Sequence, residues 1–221
     1  MKRKILMMVA TVFAAFTMSG CTAMNLGVKF MGFDEKTQVA YADMMDIVDE
    51  TGDPAQAMMK EWLVTDEELT EEDIFDEMKS LAGDYNMRFV GEKPMFRIKD
   101  PKPDQISRAR IGEFCSLGVA KKMLDHSRFY GGFMPCRVIY VEYGDGRRYL
   151  ISMDMTLALY GGTDVKPISS ELMADMENVK TAMEQIPLKA AGYDTQLEAD
   201  KAMIKYYTEK GIKERMPTIK K

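Results

Sequence analysis

Five side chains that can do chemistry lie close together in the second half of the chain. They are Cys115, His126, Met134, Cys136 and Arg137. Thiolate, imidazole and thioether groups are ligands that soft metal ions accept. The spacing matches no zinc finger, and no Cys-x-x-Cys pair is present for thioredoxin-like exchange. A soft-metal or small-sulfur site at these residues is therefore one interpretation among several.

The two cysteines of this group leave three interpretations open. In an oxidising compartment, a disulfide between Cys115 and Cys136 would close a loop of about 20 residues and contribute roughly 3 kcal/mol by the chain-entropy model. Two reduced and buried cysteines would instead serve as small apolar side chains. The third interpretation is a functional thiol or metal site.

His126 and Arg137 each have a structural and a functional interpretation. The only histidine, His126, lies near the end of a predicted helix, where the helix dipole stabilises it. A Ser-His-Asp hydrolase would depend on it alone, and no Gly-x-Ser-x-Gly motif is present. Arg137 is suited to bind an anion or to pair with an internal acid. We predict no catalytic residue, no cofactor and no metal, and we favour a non-enzymatic role.

Methionine is frequent, at 22 of 221 residues. In an exported protein, a thioether-rich surface could bind copper(I). However, Met153 with Met155 and Met173 with Met176 are isolated pairs rather than a repeated run. Core filling by a flexible side chain explains this distribution without a metal.

The N-terminus has the residue order of a secretory signal. Three basic residues in Met1-Lys2-Arg3-Lys4 precede an uncharged, mainly apolar run from Ile5 to Phe16 and the short stretch Thr17 to Gly20. As a helix the apolar run would rise only about 18 Å, whereas a bilayer core is about 30 Å thick. The run is therefore too short to span a bilayer.

The segment Met18-Ser19-Gly20-Cys21 resembles the lipobox of bacterial lipoprotein precursors, with Met18 in place of the usual leucine. The resemblance implies cleavage before Cys21, a diacylglycerol on its sulfur and often a further acyl chain such as palmitate on its amine. Two or three chains anchor stably, whereas one binds marginally. Thr22 follows instead of aspartate, which favours the outer membrane, facing the periplasm. An ordinary signal peptide that ends near a cysteine is the alternative.

Removing the first 20 of 221 residues leaves 201, enough for one substantial domain. The removed segment holds three of the 30 basic residues and none of the 35 acidic ones, so the mature charge is −8. An acidic chain without a basic stripe is a poor nucleic-acid binder. We predict the membrane as a partner through the anchor, with an envelope protein or a small ligand, and no nucleic acid.

In the N-terminal half, hydrophobic spacing predicts alternating helices and strands. Residues 24–50 favour an amphipathic helix, with Thr37 as a possible cap, that ends at residues 51–54. Thr70 and Asp73 have the spacing of a capping box ahead of an apolar stripe. The remaining predictions are a strand over residues 57–64, a helix end at Gly83, a strand over residues 87–90 extended by residues 96–98, and a loop over residues 99–104.

In the C-terminal half, the clearest local structure is a β-hairpin. It joins Cys136–Tyr143 to Arg148–Met153 through Gly144-Asp145-Gly146. The strand face that carries Ile139 is the more apolar, and we expect it to meet the helices. The other predictions are a helix beginning around Phe114-Cys115-Ser116, a helix over residues 172–186 that Pro187 stops, and a last helix from the capping box of Thr195 and Glu198 to Gly211.

The segment Phe114-Cys115, the motif Met134-Pro135-Cys136-Arg137, the strand after it and the Asp145-Gly146 turn resemble the domain of unknown function 302 family. The resemblance covers roughly residues 55–160. It implies a compact α+β domain that tends to dimerise. The family has no established activity, so no catalytic residue carries over.

These observations predict an α+β fold, in which a small sheet with a C-terminal β-hairpin packs on helices, plus flanking N- and C-terminal helices. The predicted parts are a lipoprotein signal peptide at residues 1–20, an anchor-proximal helical spacer at 21–54, the α+β domain at 55–160 and a C-terminal helical extension at 161–221. We interpret the protein as a cell-envelope lipoprotein that binds a ligand or partner without catalysis. The alternative is a redox or soft-metal protein that uses Cys115 and Cys136.

Overall fold

The computed structural model describes residues 25–217. The predicted signal peptide at residues 1–20 and the predicted lipid attachment at Cys21 lie outside the described residues. Residues 25–31 are helical. Within residues 25–217, no helix combines the length and the apolar composition needed to cross a membrane.

A five-stranded antiparallel sheet forms the centre of the molecule. Its strands are β1 (Met59–Leu63), β2 (Arg88–Arg97), β3 (Ile106–Cys115), β4 (Cys136–Tyr143) and β5 (Arg148–Met153). Their order in the sheet is β1-β5-β4-β3-β2, so β1 and β2 are the edge strands. The predicted hairpin is confirmed as β4 and β5, with Ile139 paired to Ile151.

In addition to the helical residues 25–31, six α-helices and two short 3₁₀ segments in the described part of the chain accompany this sheet. The helices are α1 (Glu35–Thr51), α2 (Glu71–Asp84), α3 (Leu117–His126), α4 (Thr156–Tyr160), α5 (Ser170–Ala190) and α6 (Gln196–Lys210). The 3₁₀ segments are Gln56–Met58 and Arg128–Phe133. The predicted α+β class, with a sheet packed on helices and helices flanking it at both ends, is confirmed.

The main core lies between one sheet face and the helices α2 and α5. The sheet contributes Trp62, Phe114 and Tyr140, all almost fully buried, and α5 contributes the stripe that includes Met176 and Ile186. Burying aromatic and long aliphatic side chains removes large apolar areas from water, which is the main stabilising term. The helix stripe predicted over residues 172–186 is thus confirmed as a core face.

The second sheet face carries a smaller core under α6. Leu63, Val141 and Tyr149 pack there against Met203 and Tyr207. We expected the Ile139-bearing face to meet the helices; in the described residues it packs against α6, while α2 and α5 pack on the opposite face. The main core lies on that opposite face, because Val138 and Tyr140 supply bulk there.

Two of the predicted helix starts are confirmed, whereas two other predictions about helix ends are wrong. Thr70 with Asp73 and Thr195 with Glu198 both form complete capping boxes. Thr37 is not the cap of α1, because Asp34 caps this helix and Thr37 is buried. Pro187 does not stop α5, which continues to Ala190. Burial of the residues around Pro187 in the core offsets the backbone hydrogen bond that this proline lacks.

The sequence patterns missed strand β3. The predicted helix start at Phe114-Cys115-Ser116 is wrong, because Phe114 and Cys115 end β3 and the helix begins at Leu117. The sequence of β3 lacks the apolar alternation that predicts a strand, because Arg108 and Arg110 occupy positions on the α2 side of the sheet. Their pairing with acidic residues lets charged side chains replace the expected apolar alternation.

Candidate functional site: an apolar cavity beside the first helix

The two cysteines are free thiols in the structure. Cys136 lies opposite Phe114 on the adjacent strand, and the strand alternation turns Cys115 toward the other face. Burial, together with the nearby Cys115, raises the pKa of the Cys136 thiol to about 11. Burial also raises the pKa of Cys115. Protonated thiols are poor nucleophiles and poor metal ligands, so this geometry favours the inert-thiol interpretation.

The other three predicted site residues do not converge with the cysteines on one point. His126 is the last residue of α3, and its ring centroid lies 6.2 Å from that of Tyr130. Met134 packs against the main core, and Arg137 is exposed on β4 opposite Glu113. In the part of the chain from 25 to 217, no group of three or more His, Cys, Asp or Glu side chains could hold a metal ion.

A cavity of about 770 Å³ lies where α1 meets α4 and the 3₁₀ segment Arg128–Phe133. The face of α1 toward it presents Ala40, Met44 and Ile47, which follow helical spacing and so share one side of the helix. Of the five site residues predicted from the sequence, only His126 lines this cavity.

Aromatic side chains make up much of the wall opposite α1. Phe129, Tyr130 and Phe133 come from the 3₁₀ segment, and Tyr160 comes from the end of α4. The Tyr130 and Phe133 ring centroids are 6.3 Å apart, and the rings are tilted by 57° to each other. The Tyr130 hydroxyl donates a hydrogen bond to the backbone carbonyl of Ala158, which fixes this ring at the cavity.

Hydrogen bonds from α1 to the loop after α4 hold the cavity walls together. The Thr37 hydroxyl, in a side chain that is 1% exposed, contacts the backbone carbonyls of Tyr160 and Gly162. The Tyr41 hydroxyl donates to the carbonyl of Gly161 at 3.1 Å. Because buried polar groups need partners, these bonds fix the position of α1 on the rest of the molecule.

A few charged groups also line the cavity. Four are aspartates and two are lysines, with His126 as a further titratable group. Hydrogen bonding to the backbone and side chain of Thr37 lowers the pKa of Asp34. Lys36 places its ammonium 5.1 Å from the centroid of the Tyr160 ring. The charged cavity-lining residues are Asp34, Lys36, Asp43, Asp154, Asp164 and Lys166.

In a second polar cluster, away from the cavity, the charged side chains pair with one another. Glu71 lies at the start of α2, and its side chain is 7% exposed. It forms ion pairs with Arg108 at 3.0 Å and with Arg110 at 3.2 Å. Glu142 in turn accepts hydrogen bonds from Arg108 Nε and from the Tyr140 hydroxyl. These charges neutralise one another, so the cluster joins α2 to the sheet and offers no vacant charge for a ligand.

A third polar group lies on the α6 side of the sheet. The Tyr207 hydroxyl is 3.2 Å from that of Tyr149 and 3.3 Å from Glu214 Oε2. Arg147 pairs with Glu214 at 3.1 Å. Desolvation, with a smaller contribution from the Glu214 charge, raises the pKa of the Glu61 carboxyl on β1 to about 7. The hydrogen bonds of this group link strand β5 to α6 and to the segment after it, and the Glu61 carboxyl lies close enough to be affected by the Glu214 charge.

Apart from His126, sequence reasoning did not identify the cavity residues. The available signals were the apolar positions of the predicted N-terminal helix and the pair Gly161-Gly162 after Tyr160. Neither signal shows that α1 and this loop meet, because their contact joins residues more than 100 positions apart. Only tertiary packing brings them together.

Comparison with known families assigns the central part of the chain. The family model described as "Domain of unknown function DUF302" matches residues 70–186. The chain belongs to this family. The DUF302 match begins at the capping box of α2 and ends within α5, whereas we expected the resemblance over roughly residues 55–160. Helices α1 and α6 therefore lie outside the matched region, and the cavity is built partly from α1 and partly from the DUF302 region.

Two further comparisons were made, with solved structures and with curated proteins. A crystal structure described as an uncharacterized conserved protein DUF302 from Bacillus stearothermophilus is similar to this chain with a TM-score of 0.42 and 11% sequence identity. The similarity covers 58% of this chain and 98% of that chain. No curated protein matches this chain.

Proposed function

We propose that this protein is a non-catalytic binding module whose ligand is a small, mainly apolar molecule held between α1, α4 and the 3₁₀ segment Arg128–Phe133. The observation that carries this proposal is the cavity of about 770 Å³ at that junction. Ligand sites are typically concave, span roughly 300 to 1,000 Å³ and combine an apolar lining with a few polar groups. The cavity fits this description in both size and lining.

The arrangement of α1 supports the same proposal. Its apolar side faces the cavity, and Thr37 and Tyr41 bond to the loop after α4 at one end of that side. An apolar ligand would displace water from Met44, Ile47 and the aromatic wall, which is favourable in proportion to the apolar area removed from water. The hydrogen bonds keep the walls in place, so the ligand need not order them on binding.

The location of this module is a second part of the proposal. We propose that Cys21 carries lipid and holds the mature chain at the outer membrane, on the periplasmic side, and that the chain pairs as a homodimer. The lipobox-like segment Met18-Ser19-Gly20-Cys21 supports the anchor, and the family resemblance supports the dimer. Mass spectrometry of the protein from its native membrane should find diacylglycerol on Cys21. An intact N-terminus recovered from the cytosol contradicts the proposed location.

Binding of N-phenyl-1-naphthylamine, a neutral apolar dye, tests the proposed function. We expect saturable dye fluorescence with the wild-type protein. Ala40 is 4% exposed and lines the cavity, so Ala40→Phe should fill part of it and weaken dye binding by about ten-fold or more. Val39 is its neighbour on α1, is 52% exposed and does not line the cavity, so Val39→Phe is the matched control.

The outcomes of this experiment are distinct. Unchanged dye binding by Val39→Phe and weak binding by Ala40→Phe support the cavity as the site. Because Ala40→Phe could disturb folding, Met44→Trp provides a second way to narrow the same cavity, and thermal denaturation checks both variants. Dye binding that resists both cavity substitutions, or a wild-type protein that binds no dye, contradicts the proposed function.

A further inference from the structure

Three large apolar side chains are exposed close together at the start of the described chain. Leu26, Val28 and Met31 are 64%, 63% and 71% exposed, and they belong to the helical residues 25–31. Single exposed apolar residues are common on protein surfaces, but several within one short segment mark a contact with another molecule. Within residues 25–217, the rest of the chain leaves most of this apolar surface exposed.

The polar side chains of this short helix lie on one side. Asn25 and Lys29 are four residues apart, so they share a side of the helix. The other positions up to residue 31 are apolar, namely Leu26, Gly27, Val28, Phe30 and Met31. A helix with a narrow polar side and a broad apolar side is suited to lie in the plane of a membrane interface, with its polar side toward water.

The residues that follow this helix are fixed to α1. The Phe33 ring stacks on the Tyr41 ring, with the centroids 5.7 Å apart. The side-chain amide of Gln38 donates a hydrogen bond to the Phe33 carbonyl at 2.7 Å. Tyr41 in turn donates to the carbonyl of Gly161. Residues 25–33 are therefore joined to the folded domain by ring packing and hydrogen bonds as well as by the chain itself.

The proposed lipid attachment keeps this apolar surface close to a bilayer. Asn25 follows Cys21 by four residues, which span at most about 14 Å even when fully extended. The helix from Asn25 to Met31 adds only about 9 Å. Acyl chains on Cys21 would thus hold the segment beside the lipid and raise its effective concentration there, so that even a weak apolar contact forms.

We infer that residues 25–33 make a second membrane contact, in which the apolar side of the helix lies among the lipid headgroups and the upper acyl chains. This inference rests on the proposed anchor at Cys21 and goes beyond it, because an anchor alone leaves the orientation of the domain free. Asp34 lines the cavity and follows Met31 by three residues, which span at most about 11 Å. The contact therefore holds the α1 end of the cavity next to the bilayer.

Tryptophan fluorescence in vesicles tests this contact. The full lipidated protein is reconstituted in phosphatidylcholine vesicles with and without bromine on the acyl chains, because bromine quenches an indole that touches lipid. Trp62, the only native tryptophan, is 1% exposed, so the wild-type emission is subtracted as background. We expect bromine to quench at least about half of the emission that Met31→Trp adds. Val28→Trp should behave in the same way, since Val28 and Met31 share a side of the helix.

Two positions provide matched controls. Asn25→Trp lies closer to Cys21 in the chain but on the polar side of the helix, so its emission should be quenched about three-fold less than that of Met31→Trp. Met95 is 53% exposed on β2, at the sheet edge opposite β1, and Met95→Trp should lose less than about a tenth of its emission. Lys29 is the only charged residue of the segment, so added salt should leave the quenching of Met31→Trp unchanged.

The results separate this contact from the anchor on which it rests. Mass spectrometry of the same sample reports the lipid on Cys21, and its absence contradicts the proposed location. If the lipid is present but Met31→Trp and Val28→Trp are quenched no more than Met95→Trp, the anchor remains and the contact is wrong. Equal or stronger quenching of Asn25→Trp shows only nearness to the anchor and also overturns the inference.

A second copy of this chain is the other molecule that could cover the segment. Blue-shifted emission of Met31→Trp that bromine does not quench would show that protein rather than lipid lies against it, and would overturn the inference. Thermal denaturation checks that each variant is folded, and the high exposure of Met31 leaves room for the larger side chain.

Discussion

Thr37 joins the first helix to the loop after α4 through one hydroxyl group. The buried hydroxyl has one proton to donate, and two backbone carbonyls of this loop lie within its reach. Removing it takes away the side-chain donor that these buried carbonyls share. We predict that Thr37→Val, which keeps the shape of the side chain, lowers the free energy of unfolding by about 1 to 3 kcal/mol. Urea denaturation measures this change, and dye titration should show weaker binding because α1 is less firmly held.

Thr51 provides the matched control for Thr37. It lies at the end of the same helix. Its hydroxyl donates to the Ile47 carbonyl and accepts from the backbone N–H of Asp53, so both of its partners are local in sequence. Thr51→Val should therefore change the free energy of unfolding by less than about 0.5 kcal/mol. Equal effects of the two substitutions would show that the contacts of Thr37 with the loop contribute nothing specific.

The two thiols provide a direct test of the alternative redox function. Burial raises the pKa of Cys136 to about 11, so its thiolate fraction is very small at neutral pH and increases only as the pH approaches that value. We predict slow modification of both cysteines by a disulfide reagent at pH 7 and a clear increase in rate above pH 9. The Cys136→Ser variant should bind dye like the wild type. Rapid labelling at pH 7, or recovery of a Cys115–Cys136 disulfide, would instead support thiol chemistry.

At the level of elements, local rules predicted the helices better than the sheet. The capping boxes at Thr70 and Thr195 depend on residues three positions apart, so the sequence alone identified them. Strand β3 depends on a distant partner, because Glu71 compensates the charges of Arg108 and Arg110. A pattern of apolar residues along one segment cannot report such compensation.

This dependence of β3 on α2 leads to a prediction at Glu71. Removing its charge with Glu71→Gln leaves Arg108 and Arg110 near each other without their shared partner. We expect the free energy of unfolding to fall by about 1 to 2 kcal/mol, because both arginines lose a buried charged partner while Arg108 keeps Glu142 and Arg110 keeps Glu92. Urea denaturation measures the loss.

The same substitution at the neighbouring Glu72 is the control. Its side chain is 72% exposed and contacts Arg110 at 3.5 Å. Glu72→Gln should therefore change the free energy of unfolding by less than about 0.5 kcal/mol. If Glu71→Gln is as mild as Glu72→Gln, the cluster does not stabilise the junction of α2 with the sheet.

At the scale of the whole molecule, the sequence predicted the class of fold but not the site. Helix α1 was interpreted as a spacer, because its apolar stripe gives no information about what it packs against. In the structure this helix forms one wall of the cavity, and the DUF302 region provides other walls. The proposed binding site therefore depends on an element outside the matched family region, and only the folded chain shows the cavity.

The attachment of α6 to the sheet makes stability depend on pH. Glu61 on β1 has a pKa raised to about 7, from an ordinary value of 4.5, mainly by desolvation and further by the charge of Glu214. Tyr143, Tyr149 and Tyr207 are further titratable groups in this region, and Arg147 pairs with Glu214. Between the ordinary and the raised pKa the folded state binds more protons than the unfolded state, so stability decreases as the pH rises through this interval.

We therefore predict that deprotonation of Glu61 lowers the free energy of unfolding by about 2 kcal/mol between pH 5 and pH 8. This figure is reduced because the Glu61 side chain is partly exposed to solvent. Glu61→Gln cannot titrate at this position, so it should remove this part of the pH dependence and be the more stable protein at pH 8. Glu209→Gln, an exposed change on α6, should retain the wild-type dependence. Urea denaturation of all three proteins at the two pH values measures the effect, and a Glu61→Gln curve parallel to the wild type would show that this carboxyl does not couple pH to the packing of α6.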